Sequence, residues 1–192
     1  IEGVACTVAT ARASYRLATA SPGGFMIYPM AMAAAIGEAL GLTGEEITAG
    51  VAAYVPTGSR MHLIRLPEQR LLIDDCYNAN PQAMAEALKL LAAASCRRRA
   101  AVLGDMGELG ELTVSAHRAI GALTGELHLD SVIAIGEKAR DIASAAPNAQ
   151  WFPSVEDALP AVRAAFTGGT AMLVKASHAM HFENIVKELE QS

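Results

Sequence analysis

From residue 61 onward the chain alternates short apolar runs with amphipathic helical stretches, and that alternation restricts its fold more than any other feature. Arg70 to Asp74, Ala100 to Leu103, Ser131 to Ile135, Gln150 to Phe152 and Ala171 to Val174 read as strands. Between and after them, segments beginning at Pro81, Glu111, Glu137, Val155 and about Ala179 read as helices. Strands separated by helices pair in parallel, because the chain must cross the sheet before it returns, and the crossing helices cover both faces. The exception lies at the start. Met61 to Leu66 and Arg70 to Asp74 flank Pro67-Glu68-Gln69, a hairpin that implies one antiparallel strand.

The spacing within the helices supplies the core. Met84, Leu88 and Leu91 fall on one face of the helix from Pro81. Leu112, Ala116, Ala119, Ile120 and Leu123 mark one side of the next, and Phe182, Ile185, Val186 and Leu189 one side of the last. The expected fold is therefore α/β: a Rossmann-like, mostly parallel sheet with one antiparallel strand, over residues 58–192. Residues 1–57 read differently. Val4 to Leu17 is rich in β-formers, and Ser21-Pro22-Gly23-Gly24 breaks the chain before Phe25-Met26-Ile27-Tyr28, which together suggest a fragment of sheet. Met30, Ala33, Ile36 and Leu40 give an apolar face to a helix from Pro29 to Leu42. Thr43-Gly44-Glu45-Glu46 offers a cap for a short helix through Ala53, and Tyr54 to Ser59 reads as a linker. Residues 1–57 thus look like the tail of a larger domain.

A hydrophobic fraction of 52% in 192 residues is ample for a soluble core. A net charge of −5 argues against nucleic acid as a partner, since phosphate binding needs a basic face. The one basic run, Arg97-Arg98-Arg99, reads as the solvated end of the helix from Pro81, where positive charge complements the dipole. The apolar stretch from Met30 to Ile36 is too short to span a bilayer, and residues 1–10 have no signal-peptide pattern, so no membrane insertion is expected. Cys6, Cys76 and Cys96 are odd in number and lack metal spacing, which suits a reducing cytoplasm. The oligomeric state is left open.

The chemistry-bearing run is Ile73-Asp74-Asp75-Cys76-Tyr77-Asn78-Ala79-Asn80-Pro81, where an apolar strand ends in carboxylates and amides just before a proline-led helix. Pro81 suits the first helical position because its missing N–H would be unpaired there. Polar side chains at a strand's carboxyl end sit where open α/β sheets bind ligands. Aspartates also end strands and cap turns, and Asn80 equally suits the turn before Pro81. Gly104-Asp105-Met106-Gly107-Glu108-Leu109-Gly110 imitates a dinucleotide fingerprint, but its spacing is wrong and it places Asp105 and Glu108 where pyrophosphate would sit. His117, on the following helix, reads as a surface histidine, or else as one turned toward that loop. His178, His181 and Glu183 lack the i,i+4 spacing of helical metal ligands, so no metal site is expected there.

These two runs, preceded by Gly58-Ser59-Arg60-Met61 and followed by Lys175-Ala176-Ser177-His178-Ala179-Met180, resemble the Mur ligases of peptidoglycan synthesis. Within that family the resemblance is to the branch that joins D-alanyl-D-alanine to UDP-N-acetylmuramoyl-tripeptide through an acyl phosphate, using ATP and Mg2+. It implies that residues 1–57 are the end of a central ATPase domain and residues 58–192 the carboxy-terminal domain. The phosphate loop Gly-x-x-x-x-Gly-Lys-Ser/Thr occurs nowhere in the chain, so the fragment alone is expected neither to hydrolyse ATP nor to ligate, and Mg2+ is expected mainly on the missing part.

By resemblance, Arg60 is the catalytic candidate, an arginine brought to the ATP phosphates, with a solvated linker arginine as the alternative. Ser59 stands where the family has glycine. Asp75 is implied at the ATP ribose, with Asn78 and Asn80 able to donate and accept at a nucleotide or peptide edge. Lys175, Ser177 and His178 are implied at the dipeptide carboxylate, although Ala176 replaces glycine and His178 replaces arginine. Asp105 and Glu108 border the cleft and are candidates for the dipeptide ammonium. A folylpolyglutamate synthase-like ligase, and a stand-alone nucleotide-binding or interaction module of the same fold without catalysis, remain the alternatives.

Overall fold

The computed structural model describes residues 1–191, which divide into two units, Ile1–Thr57 and the chain from Gly58 onward. In the first unit β1 (Gly3–Ala9) and β2 (Ser14–Pro22) pair antiparallel, followed by α1 (Ile27–Ala39) and α2 (Gly44–Ala52). Its small core gathers Tyr15, Leu17, Met26, Met30, Ala34, Ile47 and Val51. The expected cap is present: Thr43 Oγ1 accepts from Glu46 N, and Glu46 Oε2 accepts from Thr43 N at 2.8 Å. Two expectations fail here. Phe25 to Tyr28 is not strand, since a 3-10 turn at Gly24–Met26 leads directly into α1. The buried face of α1 is Met30, Ala34 and Gly37, whereas Ile36 and Leu40 are exposed. An alanine-rich helix is apolar all round, so periodicity cannot select its face. Contact selects it: a Cβ on Gly37 would lie 2.6 Å from Ile47, so only glycine admits α2 there.

The second unit contains β3 (His62–Leu66), β4 (Arg70–Asp74), α3 (Pro81–Ala92), β5 (Arg98–Gly104), α4 (Thr113–Glu126), β6 (Ser131–Ile135), α5 (Arg140–Ala145), β7 (Ala149–Phe152), α6 (Val155–Ala165), β8 (Thr170–Lys175) and α7 (Glu183–Glu190). The six strands form one sheet in the order β3-β4-β8-β5-β6-β7. Only β3 is antiparallel, to β4. The α/β fold is the one expected. Every residue of β8 is buried, as a central parallel strand covered on both faces requires. Helices α6 and α7 pack over Leu72, Val102, Ile133, Met172 and Val174, while α3, α4 and α5 lie side by side against the sheet's other face.

Three local expectations are corrected. The helix from Pro81 ends at Ala92, and Arg98 and Arg99 already belong to β5. The side chain of Arg99 nevertheless reaches back to the carbonyls of Ala92 and Ala94, both at 3.0 Å, so its charge does complement the end of α3. On α4 the buried residues are His117, Ile120, Gly121 and Thr124, and Leu112 is exposed. The face is rotated because polar residues there are satisfied internally and Gly121 lets the Ile142 carbonyl approach to 2.2 Å of where a Cβ would stand. His117 is not a surface residue but fully buried.

Candidate active site

The strand order reverses around β8: the chain passes from β4 to β5, continues outward to β6 and β7, and returns to insert β8 between the first two. The loops leaving β4, β5 and β8 therefore meet at one edge, the topological switch point where open α/β sheets take their ligands. The loop after β4 carries Asp75 to Asn80, that after β5 carries Asp105 to Gly110, and that after β8 carries Ala176 to His181.

Lys175, the last residue of β8, holds two of these together. It is 2% exposed, and its Nζ donates to Asp75 Oδ2 at 2.5 Å and to the Asn78 carbonyl at 2.8 Å, with the Asp75 carbonyl at 3.4 Å. Asp75 Oδ1 accepts from the backbone N–H of Met61 at 3.0 Å. Burial raises the Asp75 carboxyl above its ordinary value, and the Lys175 ammonium and Met61 N–H oppose that rise. Asp74 faces inward instead, its Oδ1 accepting from the Cys76 thiol at 3.0 Å and the Cys76 N–H at 3.3 Å. Burial, with the Asp74 carboxylate close by, pushes the Cys76 thiol up to about 12.

Arg60 is exposed and lies over Tyr77, with 4.1 Å from Cζ to the ring centre. Tyr77 in turn is 5.3 Å from the His178 ring, and His178 is 6.3 Å from His181. The backbone reinforces the first contact, since Tyr77 N donates to Ser59 O at 3.0 Å. Tyr77 as the partner of Arg60, and the Met61 N–H as the partner of Asp75, are contacts that sequence reasoning missed. Tyr77 stood inside the recognised run, whereas nothing in the sequence marks the amide of Met61.

The two asparagines differ. Asn80 caps α3, its Oδ1 accepting from Ala83 N at 2.8 Å. Asn78 Oδ1 accepts from Ala79 N at 2.8 Å, and its carbonyl receives Lys175. In the β5 loop, Asp105 Oδ1 accepts from Ala139 N at 2.7 Å, beside Gly136, whose φ of 112° and closeness to that oxygen exclude a side chain. Ser177 Oγ accepts from Gly107 N at 3.0 Å, and Ser177 N donates to Asp105 O at 3.1 Å, so the β5 and β8 loops are tied together. Glu108 is exposed with a left-handed φ of 60°. His117 underpins the loop: its Nε2 accepts from Met106 N at 3.0 Å while Nδ1 faces the Thr113 carbonyl at 2.7 Å. An amide can only donate and a carbonyl only accept, so the imidazole is neutral with its proton on Nδ1.

The Ala176 methyl has room because the residue across from it is Gly104. A Cβ on Gly104 would lie 2.6 Å from the Ala176 methyl and 2.7 Å from Phe182. Among the described residues no group of three or more His, Cys, Asp or Glu side chains converges to hold a metal ion, and no helix is long and apolar enough to cross a membrane.

Residues 59–178 match the family model described as Mur ligase, glutamate ligase domain. The chain is 34% identical over 170 residues to the UDP-N-acetylmuramoyl-tripeptide–D-alanyl-D-alanine ligase of Bacillus subtilis, covering 84% of this chain and 37% of that protein. With the ligase of the same name from Escherichia coli it shares 29% over 192 residues, 99% of this chain and 42% of that one. A crystal structure of MurF from Acinetobacter baumannii superposes with a TM-score of 0.89 at 27% identity, over 100% of this chain and 43% of that one. The chain thus spans about two fifths of the length of these relatives. With a domain-long match and the same architecture, the chain belongs to the Mur ligase family.

Proposed function

We propose that this chain is the carboxy-terminal part of an ATP-dependent ligase that joins D-alanyl-D-alanine to UDP-N-acetylmuramoyl-tripeptide in cytoplasmic peptidoglycan synthesis. The observation that carries the proposal is the gathering of Arg60, Asp75, Asp105 and Ser177 around one switch point, in a chain similar over most of its length to ligases of that name. Residues 1–57 are then the end of the central ATPase domain. ATP supplies activation of the tripeptide carboxylate, and the residues here fit one side of it. Arg60 offers an exposed guanidinium to the phosphates. Asp75, with lone pairs left on both oxygens, suits the ribose hydroxyls. Asn78 retains its amide hydrogens for a nucleotide or peptide edge. Asn80 does so as well, although its oxygen already caps α3.

The remaining candidates serve the dipeptide. The Ser177 hydroxyl accepts from Gly107 N and keeps its own hydrogen for a carboxylate. Exposed His178 lies next to it, and Asp105 and Glu108 offer charge to the ammonium. Mg2+ belongs mainly to the part of the protein outside this chain. The test is phosphate release by the full-length protein with ATP, Mg2+ and UDP-N-acetylmuramoyl-tripeptide. Release that requires D-alanyl-D-alanine is expected, and release with glutamate or single amino acids in its place overturns the substrate assignment.

A further inference from the structure

We propose that Lys175 is a positioning residue rather than a substrate ligand: it fixes Asp75, and through Asp75 the backbone of Met61, so that Arg60 is held in place. The reaction served rests on the ligase reading above, but the positioning itself does not.

A lysine at the end of a central strand, two residues before a serine, has the placement of an anion ligand. Its surroundings give it another task. An ammonium has three hydrogens, and three oxygens surround this one: Asp75 Oδ2 at 2.5 Å, Asn78 O at 2.8 Å and Asp75 O at 3.4 Å. With the side chain 2% exposed, no hydrogen is left facing a ligand carboxylate.

What the ammonium holds is itself a connector. Asp75 uses its other oxygen on the Met61 N–H at 3.0 Å, fourteen residues back along the chain. Met61 has a φ of 50°, a left-handed conformation that side-chain-bearing residues seldom adopt unless their surroundings impose it. On the other side of Arg60, Ser59 O accepts from Tyr77 N at 3.0 Å. Arg60 is therefore bracketed by two hydrogen bonds to the loop that Lys175 organises, and its guanidinium rests on Tyr77 of the same loop. Without the ammonium, Asp75 is a largely buried carboxylate lacking its cation, and turning toward water releases Met61.

The test uses Lys175→Met and, because an unpaired buried carboxylate can prevent folding, the neutral double variant Lys175→Met/Asp75→Leu, which also removes the acceptor of the Met61 N–H. Hydrogen exchange in this chain reports the positioning directly. Exchange of the Met61 amide is expected to accelerate at least tenfold in either folded variant, while Val102 and Ile133 in the core keep wild-type rates. In the full-length protein kcat is expected to fall at least tenfold, with the KM for D-alanyl-D-alanine within twofold of wild type. Met61 exchange within twofold of wild type in the double variant overturns the proposal. So does a tenfold rise in dipeptide KM at unchanged kcat, which is the signature of a carboxylate ligand. If the wild-type full-length protein shows no dipeptide-dependent phosphate release, the ligase reading falls while the exchange result still decides the positioning.

Discussion

The guanidinium carbon of Arg60 sits 4.1 Å from the centre of the Tyr77 ring, and Tyr77 has His178 as its other ring neighbour at 5.3 Å. An exposed cation–π contact contributes about 0.5–1 kcal/mol. A guanidinium compensating charge on a transferring phosphoryl group contributes several times more. The tyrosine therefore holds the arginine ready at little cost to its release. Arg60→Ala in the full-length protein is expected to lower turnover about 100-fold or more, leave UDP-tripeptide binding nearly intact, and shift the melting temperature very little. Steady-state kinetics and calorimetry check both halves, and unchanged turnover removes the phosphate role.

Asn80 separates two explanations that the sequence left equal. Its oxygen caps α3 through Ala83 N, so Asn80→Ala should cost roughly 1 kcal/mol of stability, and Asn80→Asp, which keeps the acceptor, much less. If the cap is its whole role, the KM for ATP stays within twofold in Asn80→Asp. A tenfold rise there, with stability kept, assigns the side-chain amide to the nucleotide.

Cys76 gives a pH-dependent signature. Its thiol, raised by burial and then by the Asp74 carboxylate, holds its proton to about 12 in the folded chain, against 9.0 ordinarily. The unfolded chain loses that proton first. The contribution to stability is thus complete below about pH 9 and is lost as pH rises toward 12. At pH 8 an alkylating reagent is expected to label the half-buried Cys6 and Cys96 and to spare Cys76 until the chain is unfolded. Mass spectrometry of the labelled peptides decides it, and rapid labelling of Cys76 under native conditions contradicts the Asp74 contact.

Much of this architecture is legible in the sequence because it depends on patterns with a fixed period. The strands β4 to β8 and the inward faces of α3 and α7 follow from apolar spacing, and the hairpin follows from Pro67-Glu68-Gln69. Where periodicity carries no information, the reading fails. Helix α1 is apolar on every side, so Gly37 against Ile47 sets its face. On α4 a satisfied histidine lies inward and Leu112 outward. The candidate site divides along the same line. Which loops meet follows from strand order, but which hydrogen bonds close them does not. Lys175 reaches a carboxylate 100 residues away, and only the folded geometry shows that its ammonium is fully engaged.

His117 provides the last test, because it supports the β5 loop without being exposed to any ligand. Its ring accepts from Met106 N and donates to the Thr113 carbonyl, so each nitrogen satisfies a backbone group next to the candidate site. Replacing it with phenylalanine fills the space but leaves the buried Met106 N–H unpaired, a loss of about 1–3 kcal/mol. Asparagine is too short to serve both partners and should lose a similar amount. The expected result is a lower denaturant midpoint at unchanged slope for both variants, with faster exchange of the Met106 amide and little change at Val132 in the neighbouring strand. If His117→Phe matches the wild type in midpoint and in Met106 exchange, the loop is held by its ties to Ser177 alone.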